Sequence, residues 1–479
     1  MQLLKNVTLA GISALLFAIH PINTEAVNWI SARTDLMAGF FSFLALMLLL
    51  RYPSYLGILF SGISSLAGLL CKESAAGFFP FSLMLVFYFL RKEFSYKKKL
   101  FFLFILFSVA ISYLMMRYPE LRLWTHHKIS AVSIEKLLPE GGKKQETISV
   151  SGPLLYQVGV FFKVIGFYFK KLFVPWPLNF AIVKINGRFY LFFGIVVMLA
   201  IVYAAKKEKI SGISFFWALC FMIPAVFVPL RRLAWTPLAE RYIYISSLGM
   251  ALFTANAVKM FGNASYKRYI HLGLAGYVLL FCLSTAYRNY IWQDNYRLYS
   301  DTVRKSPDFG PAHNELAIAL LKKGRIEEAK KEFEIAASLT KGYALNPIAK
   351  VNRLLLEQEN FKPDEVLKRY DRLIKEADNS VKPILLHHAL RYINDLFLND
   401  KIPRSESKKF YKKEIEYFKM LSKFQEKAFC NYKIGQLYLA MRNKKEAIVY
   451  LKKACKLAGK KAFFKQAACK LAKRIEGQR

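Results

Sequence analysis

The segment AHNELAIALLKKGRIEEAKKEFEIAASL, residues 312–339, decides the fold of the C-terminal part of the chain. Its small and apolar residues recur three and four positions apart, the spacing of an amphipathic α-helix. The pattern is interrupted at Gly324, where a turn between two helices is expected. Small side chains at Ala317, Ala329 and Ala336 would let the two helices approach closely.

A second copy of this pattern occupies residues 428–457. Its Ala447 is equivalent to Ala329 and lies 118 residues further on. That distance is about three and a half periods of the 34-residue tetratricopeptide repeat. Stacked repeats bury a continuous core and leave a concave face for a peptide or protein. We therefore predict an α-solenoid over residues 288–479, with degenerate repeats in its middle; a rigid spacer without a ligand is the alternative.

The part of the chain that precedes the repeats consists of apolar runs, and 54% of all residues are hydrophobic. Runs of about 15–20 residues approach the length that crosses a hydrocarbon core as a helix. We predict about nine membrane spans in a domain formed by residues 1–287. The candidate spans are Val7–Ile19, Leu36–Leu50, Tyr55–Leu70, Ala75–Leu90, Leu100–Met116, Phe189–Ala204, Ile213–Val228, Tyr242–Met260 and Tyr269–Tyr287. The predicted fold class is all-α: a polytopic membrane domain followed by the solenoid.

Basic loops set the orientation of the membrane domain, because Lys and Arg are retained in the cytoplasm. Residues 91–99, 206–209 and 259–268 are the basic loops. The three loops lie on the same side of the membrane only if residues 154–174 do not cross it. A lysine in mid-membrane costs about 2.5–3.5 kcal/mol on the insertion scale, and this segment contains three. We predict that it is an amphipathic helix in the outer interface, that the N-terminus is inside and that the repeats are outside.

The charge distribution and the motif content argue against nucleic-acid binding and against a metal site. The net charge of +38 divides into +19 for residues 1–287 and +19 for residues 288–479. Such even spreading indicates basic loops and a solvated basic face near anionic lipid, and no nucleic-acid motif accompanies it. Neither CxxC nor HExxH nor DxD occurs, so no metal site is expected. Among the six cysteines, Cys430, Cys455 and Cys469 lie close enough in sequence for one disulfide.

Three segments place charged residues between apolar runs: HPINTEAVNWISARTDL (residues 20–36), CKESA (71–75) and LAERYIYISSLG (238–249). Charge held at a membrane boundary by neighbouring spans indicates a functional site. The alternative is that the acidic and basic residues of the first segment simply pair with one another. The candidate site residues are His20, Glu25, Arg33, Asp35, Lys72, Glu240, Arg241 and Tyr244.

These segments, followed by RNYIWQDNYRLYSDTVRKSPDFGPAHNELAIALLKKGR (residues 288–325), resemble the transmembrane and tetratricopeptide repeat-containing protein O-mannosyltransferase-like family and its bacterial relatives. The resemblance implies a GT-C glycosyltransferase fold. It also implies transfer of a sugar, usually mannose, from a polyprenyl- or dolichyl-phosphate carrier to a protein hydroxyl at the outer face. The repeats would help to present the protein acceptor. The carrier is a substrate, so no cofactor is expected, and a bacterial inner membrane is the expected location.

Inverting sugar transfer needs a carboxylate that takes the acceptor proton and a cation that stabilises the leaving phosphate. Arg241 or Arg33 suits the phosphate because the guanidinium binds such oxygens in bidentate fashion, and Lys72 is a further candidate. Proteins of this family place their catalytic acid in a loop after the first span, followed by another span. Both features are expected to be missing here, which leaves Glu25 and Asp35 as carboxylates in a truncated or inactive enzyme.

Two other functions stay open from the sequence. One is a non-catalytic membrane scaffold that displays its repeats for protein assembly. The other is a glycan polymerase or ligase with appended repeats.

Overall fold

The computed structural model describes residues 6–126, 154–231, 236–261, 267–339, 346–459 and 462–477. Helices account for nearly all regular structure in these ranges, and the extended pairing found there is an isolated bridge between Ile182 and Leu238. The all-α prediction is confirmed. The chain forms two compact units, one ending at Ala319 and the other continuing from Leu320.

The first unit contains thirteen described helices, the last of which runs past the unit boundary. They are α1 (Val7–Ala18), α2 (Asn23–Asn28), α3 (Arg33–Arg51), α4 (Tyr55–Cys71), α5 (Phe78–Met84), α6 (Tyr96–His126), α7 (Leu154–Phe173), α8 (Gly187–Lys207), α9 (Lys209–Arg231), α10 (Ser247–Phe261), α11 (Lys267–Trp292), α12 (Asn295–Lys305) and α13 (Gly310–Lys322). Short 3-10 turns at Ile30–Ala32, Glu73–Gly77 and Glu240–Ile243 and a π-helical turn at Leu85–Phe89 connect them.

Five of the described helical segments are long and apolar enough to cross a membrane, so the chain is membrane-associated. These segments are Ile30–Arg51, Tyr96–Arg117, Gly187–Lys207, Lys209–Pro229 and Lys267–Trp292. Three further apolar helices, Val7–Ala18, Tyr55–Cys71 and Glu73–Phe89, are shorter. The total of nine spans and their orientation stay predictions.

Glycines bring α7 and α8 into backbone contact. A Cβ atom added to Gly194 would collide with the carbonyl oxygen of Phe162, and one added to Gly166 would collide with that of Tyr190. Only glycine allows two helix backbones to come so close. The contact holds α7 alongside α8, and the predicted placement of α7 in the outer interface stays a prediction.

The second unit is a series of helices over its described residues. They are α14 (Ile326–Leu339), α15 (Asn346–Glu357), α16 (Pro363–Glu376), α17 (Lys382–Leu398), α18 (Ser407–Leu421), α19 (Lys427–Ala440), α20 (Lys444–Leu457) and α21 (Lys465–Glu476). One continuous hydrophobic core runs from α15 to α19. It includes the degenerate middle of the repeat pattern, because apolar burial requires only the helical spacing and not the full repeat signature.

A glycine lies at a turn or a tight contact in each of the two strong repeats. Gly324 has a φ of +74°, the left-handed conformation that ends a helix, and Arg325 N–H donates to the Leu320 carbonyl at 3.0 Å. In the second repeat, a Cβ at Gly435 would lie 2.7 Å from Leu451 Cγ. Gly435 is therefore needed where α19 packs on α20.

A disulfide joins Cys455 of α20 to Cys469 of α21. The sequence left the pairing of three nearby cysteines open, and the structure leaves Cys430 as a buried free thiol. The bond attaches the last helix of the second unit to the helix that precedes it.

Candidate functional site

Glu25 and Arg241, which are far apart in sequence, form a buried ion pair. The Arg241 guanidinium donates to Glu25 Oε1, and the Arg241 backbone N–H donates to Oε2 at 3.1 Å. The Glu25 side chain is 0% exposed and that of Arg241 is 11% exposed. Glu25 lies on α2, and Arg241 lies in the 3-10 turn Glu240–Ile243.

The residues that precede Glu25 hold α2 in place. Asn23 donates from its side-chain amide to the Phe17 carbonyl at 2.7 Å, at the end of α1. Its Oδ1 accepts from Ser247 Oγ at 3.2 Å, at the start of α10. Thr24 Oγ1 donates back to the Pro21 carbonyl at 2.7 Å. The polar residues of HPINTEA therefore connect α2 to the helix that follows the Arg241 turn.

Asp35 and Lys72 form a second ion pair beside the first. Lys72 Nζ lies 2.5 Å from Asp35 Oδ2, and the side chains are 25% and 2% exposed, respectively. Asp35 occupies the first turn of α3, and Lys72 directly follows α4. We call Glu25, Asp35, Lys72 and Arg241 the four-charge cluster.

Aromatic rings connect the two cations of the four-charge cluster. The Tyr242 ring centroid is 4.6 Å from Arg241 Cζ and 5.9 Å from Lys72 Nζ. The Trp29 ring centroid is 4.5 Å from Arg241 Cζ. The face of an aromatic ring attracts cations, so these rings stabilise both side chains.

Tyr244 packs on α3 next to the cluster. A Cβ at Gly39 would lie 2.7 Å from Tyr244 Cε1, so glycine is required for this contact. The ring therefore lies against the same helix that carries Asp35.

Glu240 and Arg241 are neighbours in the 3-10 turn, but their side chains contact different partners. Glu240 Oε1 accepts from Lys171 Nζ at 2.9 Å and from the Asn179 backbone N–H at 2.9 Å. Lys171 and Glu240 are 3% and 1% exposed. Glu240 thus anchors the turn to α7, whereas Arg241 joins the four-charge cluster.

His20 and Arg33 lie outside the four-charge cluster. His20 is fully buried, with Nε2 at 2.9 Å from the Leu172 carbonyl and Nδ1 accepting from Ile22 N–H at 3.2 Å. Burial lowers the pKa of His20 to about 4, so the imidazole is neutral and connects α2 with the end of α7. Arg33 is exposed and forms no ion pair with the residues that the structure describes.

Burial raises the pKa of the Glu25 carboxyl, Arg241 opposes that rise and the charge of Glu240 adds to it. Each carboxylate of the cluster is already bonded to a cation. A phosphate that bound Arg241 or Lys72 would compete with that carboxylate and release it. The arrangement can therefore exchange one anion for another at a fixed cation.

One buried cluster was not anticipated from the sequence. Arg288 near the end of α11 is 1% exposed, and its Nη1 lies 3.0 Å from Asp301 Oδ2 on α12. Lys305 reaches the same oxygen at 2.6 Å and the Leu178 carbonyl at 2.6 Å. The i, i+4 spacing of Asp301 and Lys305 was the available signal.

No three His, Cys, Asp or Glu side chains within the described ranges are grouped so that they could hold a metal ion.

These contacts bring the three quoted charged segments to one place in the first unit. The chain is similar to protein O-mannosyl-transferases. It is 26% identical over 150 residues to protein O-mannosyl-transferase TMTC3 of Homo sapiens and of Mus musculus, a match covering 30% of this chain and 16% of each relative. It is 30% identical over 104 residues to Tmtc3 of Drosophila melanogaster, covering 21% of this chain and 11% of that protein.

The matches thus span less than a fifth of the curated relatives. No family model matches the chain. Among solved structures, yeast Tom70 aligns with 96% of this chain and 89% of its own, at 12% identity and a TM-score of 0.29. A TM-score this low supports no conclusion about the chain.

Proposed function

We propose that this protein is a membrane glycosyltransferase of the GT-C type. It transfers a sugar, mannose in the first instance, from a polyprenyl-phosphate carrier to a protein acceptor. The observation that carries the proposal is the four-charge cluster: it gathers two cations, two carboxylates and two aromatic rings from three separate segments. The partial similarity to protein O-mannosyl-transferases supports the same chemistry.

In the proposed mechanism Arg241 binds the phosphate of the carrier, because its planar fork matches phosphate oxygens, and Lys72 adds a second positive charge. Binding displaces Glu25 or Asp35 from its cation. The released carboxylate then accepts the proton of the acceptor hydroxyl as the oxygen attacks the sugar and the carrier phosphate departs. Trp29 flanks Arg241 and offers the sugar an apolar face.

One observation favours the alternative of a non-catalytic scaffold. Both carboxylates of the four-charge cluster are paired, and Glu25 is fully buried. Ion pairs of this kind also serve a purely structural role. A scaffold would keep these pairs closed and act through its helical repeats alone.

Arg241→Gln is expected to reduce sugar transfer at least about 100-fold, because the phosphate loses its cation in a site of low dielectric constant. The measurement is incorporation of radiolabelled mannose from short-chain polyprenyl-phosphate mannose into membrane proteins, with the reconstituted full chain as enzyme. The matched control is Arg297→Gln, since Arg297 also packs on an aromatic ring, 3.9 Å from that of Tyr290, but outside the cluster.

Arg241→Lys keeps the charge without the fork and is expected to retain partial transfer. Full transfer by Arg241→Gln would remove Arg241 from the site. Absence of transfer by the folded wild-type protein with this donor would favour the scaffold.

We also propose that the second unit lies on the non-cytoplasmic side, the bacterial periplasm or its equivalent. The Cys455–Cys469 bond supports this side, because disulfides persist in oxidising compartments and are rare in the cytosol.

Protein from native membranes, trapped with acid and denatured, is expected to take up four maleimide-polyethylene glycol groups before reduction and six afterwards. Four of the six cysteines are free and two are bonded. The Cys455→Ser/Cys469→Ser variant should take up four in both conditions. Six additions without reductant would contradict both the bond and the oxidising compartment.

A further inference from the structure

A groove at the end of the second unit lies between α19 and the connection from α20 to α21. Its volume is about 650 Å³, enough for one or two large side chains. The apolar part of its lining comes from Phe429, Leu457, Phe463 and Phe464, with Glu426 and Lys427 at the start of α19.

Two apolar residues of this groove are exposed to solvent. Phe463 is 84% exposed and Leu457 is 49% exposed. Phe464 is 8% exposed and forms the floor, with ring centroids 5.5 Å from Phe429 and 5.3 Å from Phe463. A Phe left in water beside a concave apolar surface indicates a binding site.

The groove is built on fixed elements. The Cys455–Cys469 disulfide joins the two helices on either side of the connection. Lys465 Nζ donates to the Ala458 carbonyl at 2.8 Å and ties the start of α21 to the end of α20. These two bonds reduce the cost of ordering the flanking helices when a ligand binds.

The segment that forms the groove is strongly basic in sequence. Residues 426–479 contain 15 Lys and Arg against three Glu, a net charge of +12. Lys427 is exposed on the rim, and Lys433 Nζ lies 5.7 Å from the centre of the Phe429 ring. Glu426 is the acidic residue in the lining. This charge favours an acidic ligand.

We propose that this groove binds an acidic segment of a protein partner, which inserts one aromatic or aliphatic side chain between Phe429, Leu457 and Phe463. Concavity favours a protruding side chain over a flat bilayer surface, and the lysines bind the flanking carboxylates. The binding does not require sugar transfer, so it would serve an enzyme and a scaffold equally.

The test uses the full chain in nanodiscs of zwitterionic lipid and a fluorescein-labelled twelve-residue peptide with a central Phe-Leu pair flanked by Asp and Glu. Fluorescence anisotropy is expected to show saturable binding that weakens as salt rises. Phe463→Ala is expected to weaken it roughly tenfold, as loss of an anchor contact does. Replacing the peptide's acidic residues with Lys should weaken peptide binding by more than the Phe463→Ala change does.

Leu398→Ala is the matched control, since Leu398 is 72% exposed in the same unit but away from the groove. It should bind the peptide like the wild type. Equal affinity for wild type and Phe463→Ala would overturn the proposal. Phe463-dependent capture of phosphatidylglycerol vesicles without peptide binding would also overturn it and assign the surface to a membrane.

Discussion

Arg241→Met is expected to lower the free energy of unfolding by about 3–5 kcal/mol, because it leaves the Glu25 carboxylate buried without its cation. The Glu25 side chain is 0% exposed, so its charged form is disfavoured once the cation is lost. Thermal unfolding of the detergent-solubilised protein, followed by tryptophan fluorescence, measures the change. Arg297→Met is the control and should stay within about 0.5 kcal/mol of the wild type.

The loss of stability in Arg241→Met should be larger at high pH than at low pH. Without Arg241, burial and the charge of Glu240 both hold the pKa of Glu25 above its ordinary value of 4.5. A carboxyl whose pKa is raised on folding stabilises the protein at low pH and loses that contribution as pH rises. The deficit of Arg241→Met should therefore be smaller at pH 5 than at pH 8, and Glu25→Gln/Arg241→Met should recover most of it. A variant as stable as the wild type would show that the pair is open to water.

Gly194→Val is expected to prevent stable folding of the first unit. Its side chain would meet the backbone carbonyl of Phe162, which cannot rotate away as a flexible side chain could. Overpacking costs about 1–3 kcal/mol when neighbours can adjust, and more when they cannot. The effect should reach the site, because Lys171 on α7 binds Glu240 and the Tyr168 hydroxyl accepts from Ala239 N–H at 3.3 Å.

Size-exclusion chromatography of a fluorescent fusion measures the yield of folded, monodisperse Gly194→Val protein. Gly273→Ala is the matched control on α11, where an added Cβ meets nothing within 4 Å. It should be neutral or slightly stabilising, since alanine favours helix over glycine by about 1 kcal/mol. Equal yields of the two variants would show that α7 and α8 are not in backbone contact.

Much of the architecture could be predicted because it depends on local pattern. Apolar spacing indicated helices throughout, and Gly324 marked the turn of the first strong repeat. The charged segments at residues 20–36, 71–75 and 238–249 indicated Glu25, Asp35, Lys72 and Arg241 as candidates. A charged side chain between apolar runs needs an ion-pair partner.

The pairing of these residues could not be predicted. Glu25 and Arg241 are 216 residues apart, and no local spacing says which carboxylate meets which cation. Glu240 and Arg241 are adjacent in sequence, but the 3-10 turn directs their side chains to different surroundings. The charge of Lys171 was expected to oppose membrane insertion of residues 154–174. In the structure, Lys171 forms an ion pair with Glu240. The burial of Arg288 could not be predicted, because the sequence shows only that it lies at the end of an apolar run.

The neutral imidazole of His20 has a consequence for where the chain can work. Its pKa is lowered on folding, so the stability gained by burying it is present near neutral pH and is lost as pH falls below the ordinary value of 6.5 towards about 4. Acid would add a second proton to a ring whose Nδ1 already accepts a hydrogen bond. The contact between α2 and α7 is thus strongest near neutral pH and weakens in an acidified vesicle or an acidic habitat.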